Sequence, residues 1–168
     1  MKKLFKVLIF LLLIGISIGL LFVNNGYNMY KDAIEATSLE EKVLEIRTKE
    51  NYTEFSELPQ MYVNAVISVE DKRFYQHNGI DILAIGRAAI NDIKAMAYVE
   101  GGSTITQQLA KNMYFTQEKK MERKVAEVFM AWEIEDNYSK EDIFELYVNS
   151  IFFGDGYYTV KEACKRIF

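Results

Sequence analysis

Apolar and polar positions divide the chain at about residue 24. Lys2, Lys3 and Lys6 lead into an uncharged stretch from Val7 to Val23 made almost wholly of Leu, Ile, Val and Phe, with Gly15, Ser17 and Gly19 interspersed. That stretch reaches the lower limit for crossing the hydrocarbon core of a bilayer as a helix, and Leu4, Phe5 and a snorkelling Lys6 extend it. The following Phe22-Val23-Asn24-Asn25-Gly26 is a poor substitute for the small-x-small site of a cleaved signal peptide, which favours an uncleaved signal anchor. By the positive-inside rule the basic tip, residues 1–6, is expected on the cytoplasmic side of a span at 7–23, with the remainder outside.

From Tyr27 to Glu57 the sequence is charged and weakly patterned. Val43 to Arg47 alternates as a short strand does, so residues 24–57 read as a juxtamembrane spacer with a helix and a small hairpin. Pro59 stands where a helix begins, and Met61 to Val69 reads as a mostly buried helix. Beyond Gly79 the period is helical. Asp81 is placed to cap a helix with Ile82, Ile85, Ala89, Ile93 and Met96 on one face. Gly101-Gly102 breaks the chain, and Ser103 is the expected cap of a short helix through Lys111. A fourth helix is expected from about Glu118 to Asn137, with Met121, Val125, Val128, Phe129 and Trp132 as its apolar face. Ser139 and Asp142 form a capping-box pattern that opens a fifth, through Ile143, Leu146 and Tyr147, which Gly154 and Gly156 are expected to end. The expected class is mainly α behind a single N-terminal transmembrane helix.

Composition narrows the chemistry. The 168 residues carry a formal net charge of −4, which argues against nucleic acid as a partner, since phosphate binders present a basic face. One cysteine, Cys164, allows no internal disulfide, and one histidine, His77, no zinc site of the usual His/Cys kind. There is room for one domain and an anchor.

Three segments carry candidate chemistry. In the run from Glu70 to Gly79 an acid ends an apolar helix, followed by Phe74, His77 and a glycine turn. A carboxylate held in a partly desolvated cleft is suited to general-base work. The same residues also read as a solvated helix end with a core aromatic, and His77 as a structural hydrogen-bonding residue. From Gly101 to Asn112, glycines lead into a hydroxyl-capped helix whose free backbone N–H groups suit an anion, with Lys111 two turns on. No Gly-Lys-Ser/Thr follows at Walker spacing, so nucleotide binding is not expected. Gln107 and Gln108 suit recognition of hydroxyls and amides. Arg123 and Glu127, four apart, share a helix face, the spacing of an ordinary ion pair. Two carboxylates in one cleft would fit glycoside chemistry in hydrolases and transferases alike.

Taken together, Glu70-Asp71-x-x-Phe74-x-x-His77-x-Gly79, the run from Gly101 to Asn112, Arg123-Lys124-x-x-Glu127 and Glu145-Leu146-Tyr147-Val148-Asn149 with Gly154 closely resemble, in order and spacing, the signature motifs of family-51 glycosyltransferases. These are peptidoglycan polymerases, found as monofunctional enzymes and as the first domain of class A penicillin-binding proteins. The resemblance covers residues 58–168 and implies a lysozyme-like, mainly α-helical domain lying against the cytoplasmic membrane of a bacterium. Its substrates would be lipid II and the growing glycan chain on its lipid pyrophosphate. By that similarity Glu70 is the general base and Glu127 the second carboxylate. Arg87, Lys111, Lys119 and Lys124 match positions that hold the donor pyrophosphate, and Ser103, Gln107 and Gln108 line the cleft. Asp71, Phe74, His77, Thr104, Asn112, Arg123 and Asn149 are carried over as further substrate-site residues. Position 119 is a Lys where an Arg is common, which implies a weaker grip on phosphate. No cofactor is evident. A divalent cation, Mg or Mn, is chemically reasonable at the pyrophosphate, although no ligand cluster is visible. Other cell-wall synthesis proteins would be natural partners. The family domain continues through further helices, so the resemblance implies an incomplete domain at the C-terminus. The alternatives are a catalytically incompetent membrane-anchored module of the same family, favoured by that early C-terminus, and a lysozyme-like hydrolase. The hydrolase is disfavoured because hydrolysis needs neither a bilayer anchor nor a cationic pyrophosphate site.

Overall fold

The structure, a computed structural model, describes residues 2–99, 101–115 and 120–167. Helices make up most of it, and among the described residues there is no strand, only an isolated bridge between Gly154 and Tyr157.

The apolar run does not stop at the expected boundary. Helix α1 spans Lys2–Ala36 without a break, and its Lys3–Ala36 segment is long and apolar enough to cross a membrane. Its C-terminal part packs along α6 (Met121–Asn137). At the crossing sits Gly26, which is buried. A Cβ there would lie 2.5 Å from Val125 Cβ and 2.8 Å from the carbonyl oxygen of Glu122. Asn24-Asn25-Gly26 is a weak helix former, and this close docking is what holds it helical. Tyr27 and Phe129 meet edge-on at 5.1 Å, and Tyr30 donates to Glu133 at 3.0 Å, with burial and that carboxylate pushing its hydroxyl up to about 12. A Gly26→Val substitution is therefore expected to push α1 off α6. Thermal unfolding in detergent should show a loss of about 1–3 kcal/mol, the range for overpacking a close contact.

Residues 39–57 are packed into the domain. Val43 to Arg47 is helical rather than extended, because Ser38 and Glu41 form a capping box that opens α2 (Leu39–Arg47). Leu39, Val43 and Ile46 then fall at i, i+4 and i+7 and enter the core, so no hairpin forms there. Pro59 caps α3 (Gln60–Glu70), but this helix is not mostly buried. Val63 is its one buried residue, whereas Met61 and Val69 are exposed. One face is enough to reach the core, since only Tyr62, Val66 and Ile67 join Val63 against it.

At the centre, α5 (Ile105–Tyr114) lies between α6 and α7 (Lys140–Val148). Ile105, Leu109, Met130, Ile134, Ile143, Phe144 and Leu146 are fully buried there. Gly79, at φ +80, lets the preceding loop press on α6, where a Cβ would come within 3.2 Å of the Ala131 carbonyl. On α6 the expected apolar stripe is not the core stripe. Val125 and Phe129 face α1, Met121 and Trp132 are exposed, and Ala126, Met130, Ala131 and Ile134 turn inward. Two partners divide the helix, which a single apolar stripe does not anticipate. Its expected start at Glu118 lies outside the described residues. Asp81 caps α4 (Ile82–Ala95) as its sequence position suggests, and Ser139 with Asp142 caps α7. A last helix, α8, covers Val160–Ile167. The apolar face of α4 is largely uncovered among the described residues: Ile82 is 78% exposed, Ile93 75% and Met96 94%, although Ile85 lies against Gly102 and Ala88 is buried.

Candidate active site

Glu70 is the last residue of α3 and is exposed, so the chain itself does not supply the desolvation expected around it. Its Oε2 accepts a hydrogen bond from Gln108 Nε2 at 2.8 Å. Both belong to a cleft of about 340 Å³ whose wall also includes Asp71, Lys72, Arg73, Asp81, Arg87, Ser103 and Thr104. Three cations thus face three carboxylates around one opening. Arg73 grips Asp81 with Nε and Nη2, and that hydrogen bonding holds the Asp81 carboxyl down to about 2. The sequence does not single out Lys72 or Arg73, and it marks Asp81 only as a helix cap. The eight-residue separation of Arg73 and Asp81 gives no local signal of pairing.

Several motif residues face inward. Asp71 is buried, and its carboxylate accepts from His77 Nε2 at 3.0 Å and from the backbone N–H of Ile105 at 3.0 Å. The anion expected at the N-terminus of α5 is therefore this chain's own Asp71. Thr104, not Ser103, caps α5. Its hydroxyl accepts from Gln107 N, the Gln107 side chain accepts from Thr104 N, and the hydroxyl donates to Gly79 O at 2.6 Å. Gln at the third helical position completes a reciprocal box for Thr104, which Thr106 cannot do for Ser103. Gln107 is consequently buried within the cap rather than open to the cleft. Phe74 is fully buried against Phe144, with Lys140 Nζ 4.6 Å above its ring. Asn149 is fully buried away from the cleft and ties down Thr53, accepting from its N–H at 3.0 Å and donating to its carbonyl at 2.8 Å.

Ser103, released from capping, accepts from Lys124 Nζ at 2.6 Å. Lys124 also donates to Glu127 Oε2 at 2.7 Å, and Arg123 pairs with Oε1 of the same carboxylate. Glu127 is 1% exposed, so both its oxygens are used to hold cations. Glu70 and Lys124 thus reach one cleft through α5 and its leading loop, the first by Gln108 and the second by Ser103. Lys111 stands half-buried three residues after Gln108, on the same side of α5. Asn112 instead lines a separate, larger cavity of about 660 Å³ with Lys42, Lys49 and Phe115. Lys119 lies outside the described residues.

The chain resembles known proteins over most of its length. A family model described as Transglycosylase matches residues 37–168, a span that includes α2. Penicillin-binding protein 1F of Bacillus subtilis (strain 168) is 49% identical over 113 residues, 67% of this chain and 16% of that protein. Penicillin-binding protein 1A of Aquifex aeolicus (strain VF5) is 45% identical over 120 residues, 71% of this chain and 16% of that protein. Penicillin-binding protein 1A of Neisseria gonorrhoeae is 42% identical over 120 residues, 71% of this chain and 15% of that protein. The match thus spans about a sixth of the length of these curated relatives.

Proposed function

The chain belongs to the transglycosylase family, and from that premise we propose that it is a peptidoglycan glycosyltransferase, polymerising lipid II into β-1,4 glycan strands at the outer face of the membrane. The observation that carries this reading is the joining of an exposed carboxylate, Glu70, and a cation held by a buried carboxylate, Lys124 on Glu127, to one cleft by a single helix and the loop that leads into it.

In this mechanism Glu70 takes the proton from the 4-hydroxyl of the acceptor lipid II. The freed oxygen attacks the anomeric carbon of the donor sugar from the face opposite its pyrophosphate. One C–O bond forms as the other breaks, configuration inverts, and polyprenyl pyrophosphate leaves. Negative charge grows on that leaving group, so Lys124, Arg123, Arg87 and Lys111 stabilise the transition state more than the ground state. The exposure of Glu70 suits a base that must meet a bulky acceptor, and the bound sugars would supply the water exclusion that the chain alone does not.

The described residues do not form a metal site of their own. No three of their His, Cys, Asp or Glu side chains converge so as to hold an ion, and Asp71 and Asp81 are already engaged by His77 and Arg73. A Mg or Mn ion taking part would be held chiefly by pyrophosphate oxygens. The polyprenyl tails need apolar surroundings, and the exposed face of α4 with Tyr98 and Val99 offers them beside the cleft that Arg87 and Val99 line. With α1 spanning the bilayer and its lysines inside, the domain lies outside the cell.

The test is product analysis with labelled lipid II and detergent-solubilised protein. Glycan strands of many disaccharides are expected. Cleavage of preformed glycan without polymer would make the protein a hydrolase, and no product from a folded protein would make it an inactive module.

A further inference from the structure

Glu70 is not the end of the hydrogen-bonded chain that leads into the protein. Gln108 has two ends. Its Nε2 donates to Glu70 Oε2 at 2.8 Å, and its Oε1 accepts from the hydroxyl of Tyr147 at 3.3 Å. The order is dictated by chemistry: an ionised carboxylate only accepts, so Gln108 must offer it N–H, which turns the amide oxygen toward Tyr147, a donor. Tyr147 sits on α7 and is 3% exposed, and burial followed by the charge of Glu70 pushes its hydroxyl well above the usual range, so it keeps its proton. The amide that Glu70 orients is thus tied at its other end to a hydroxyl of the rigid core.

We propose that Tyr147 is a positioning residue for the reaction. Acting through Gln108, whose N–H the carboxylate itself selects, it anchors the amide oxygen to the core and so holds Glu70 in a single rotamer aimed into the cleft. Without the hydroxyl, Gln108 keeps its N–H toward Glu70 but loses its anchor, and amide and carboxylate swing together away from that position. The catalytic part of this inference rests on the glycosyltransferase reading above, whereas the hydrogen-bond relay itself does not.

Tyr147→Phe keeps the ring and removes the donor. In the detergent-solubilised chain, the side-chain amide resonances of Gln108, identified by their loss in Gln108→Ala, are expected to move toward free-amide positions in Tyr147→Phe. Resonances that stay in place would overturn the relay, since the Phe ring preserves the ring-current environment. In the lipid II assay, Tyr147→Phe should lower kcat about tenfold, the worth of one positioning hydrogen bond, with KM within about twofold. The same change in a Gln108→Ala background should have no further effect. An equal loss in both backgrounds would show that Tyr147 serves folding alone. A native chain without activity would remove the glycosyltransferase reading while the amide resonances still decide the relay.

Discussion

Glu70→Gln is expected to lower polymer formation on the order of a thousandfold, in the middle of the range that a positioned general base contributes. Gln keeps the size and the hydrogen-bonding reach of Glu, so Gln108 Nε2 still finds an acceptor in the new amide oxygen. Only proton acceptance is lost. Because position 70 is exposed at a helix end, the swap removes no packing, and helix content and melting temperature should not change. Initial rates with labelled lipid II, beside circular dichroism of the same samples, check this. A variant that still polymerises at near-native rate would place the base elsewhere, with Asp81 and Asp71 poorly placed to serve because Arg73 and His77 already hold them.

The second large effect is expected at Glu127, where stability and activity fall together. Its carboxylate is enclosed and bound by Arg123 and Lys124, with Arg123 mostly covered and Lys124 nearly half exposed. Glu127→Ala leaves two cations without their shared partner. Breaking a buried pair costs about 3–5 kcal/mol, and the lower end applies here because Lys124 can turn to water. Lys124 then no longer stands on Ser103, and the cationic side of the cleft loses its fixed geometry. Denaturant unfolding should show the loss of about 3 kcal/mol. Glu127→Gln, which keeps one acceptor, should recover most of the stability and little of the rate. Equal rates in the native chain and Glu127→Gln would reduce Glu127 to a structural ion pair.

What the sequence made legible was local. The caps at Asp81 and Ser139 need only residues three positions away, and both are found as read. What depended on facing was not legible. Phe74, Asp71 and His77 sit within a motif that matches a substrate site, yet Phe74 turns to the core from the 3-10 turn Phe74–Gln76, and Asp71, at the cleft wall, is spent on His77 and the Ile105 N–H. Ser103 and Thr104 are adjacent hydroxyls, and following the glycines the first is the expected cap. The deciding residue, Gln107, has an amide that suits a sugar contact equally well. On α6 the apolar character of Val125 and Phe129 is plain in the sequence, but the partner that covers them comes from a helix about a hundred residues earlier. Tyr147 carried no signal beyond its place in a motif, since its relation to Gln108 exists only after α5 and α7 pack.

With α1 as the proposed anchor, its unbroken run into the dock at Gly26 makes it a ruler. At 1.5 Å per residue its 35 residues measure about 52 Å, of which a bilayer core would take about 30 Å. The part C-terminal to that span would stand rigidly above the hydrocarbon, clamped to the helix that bears Glu127. A loose tether would let the cleft wander in height and tilt, whereas this one fixes both. Substrates that are themselves confined to the membrane plane would then meet the opening at a constant elevation. The search for them becomes diffusion in two dimensions, and the stagger between the apolar span and Gly26 sets the altitude at which every encounter takes place.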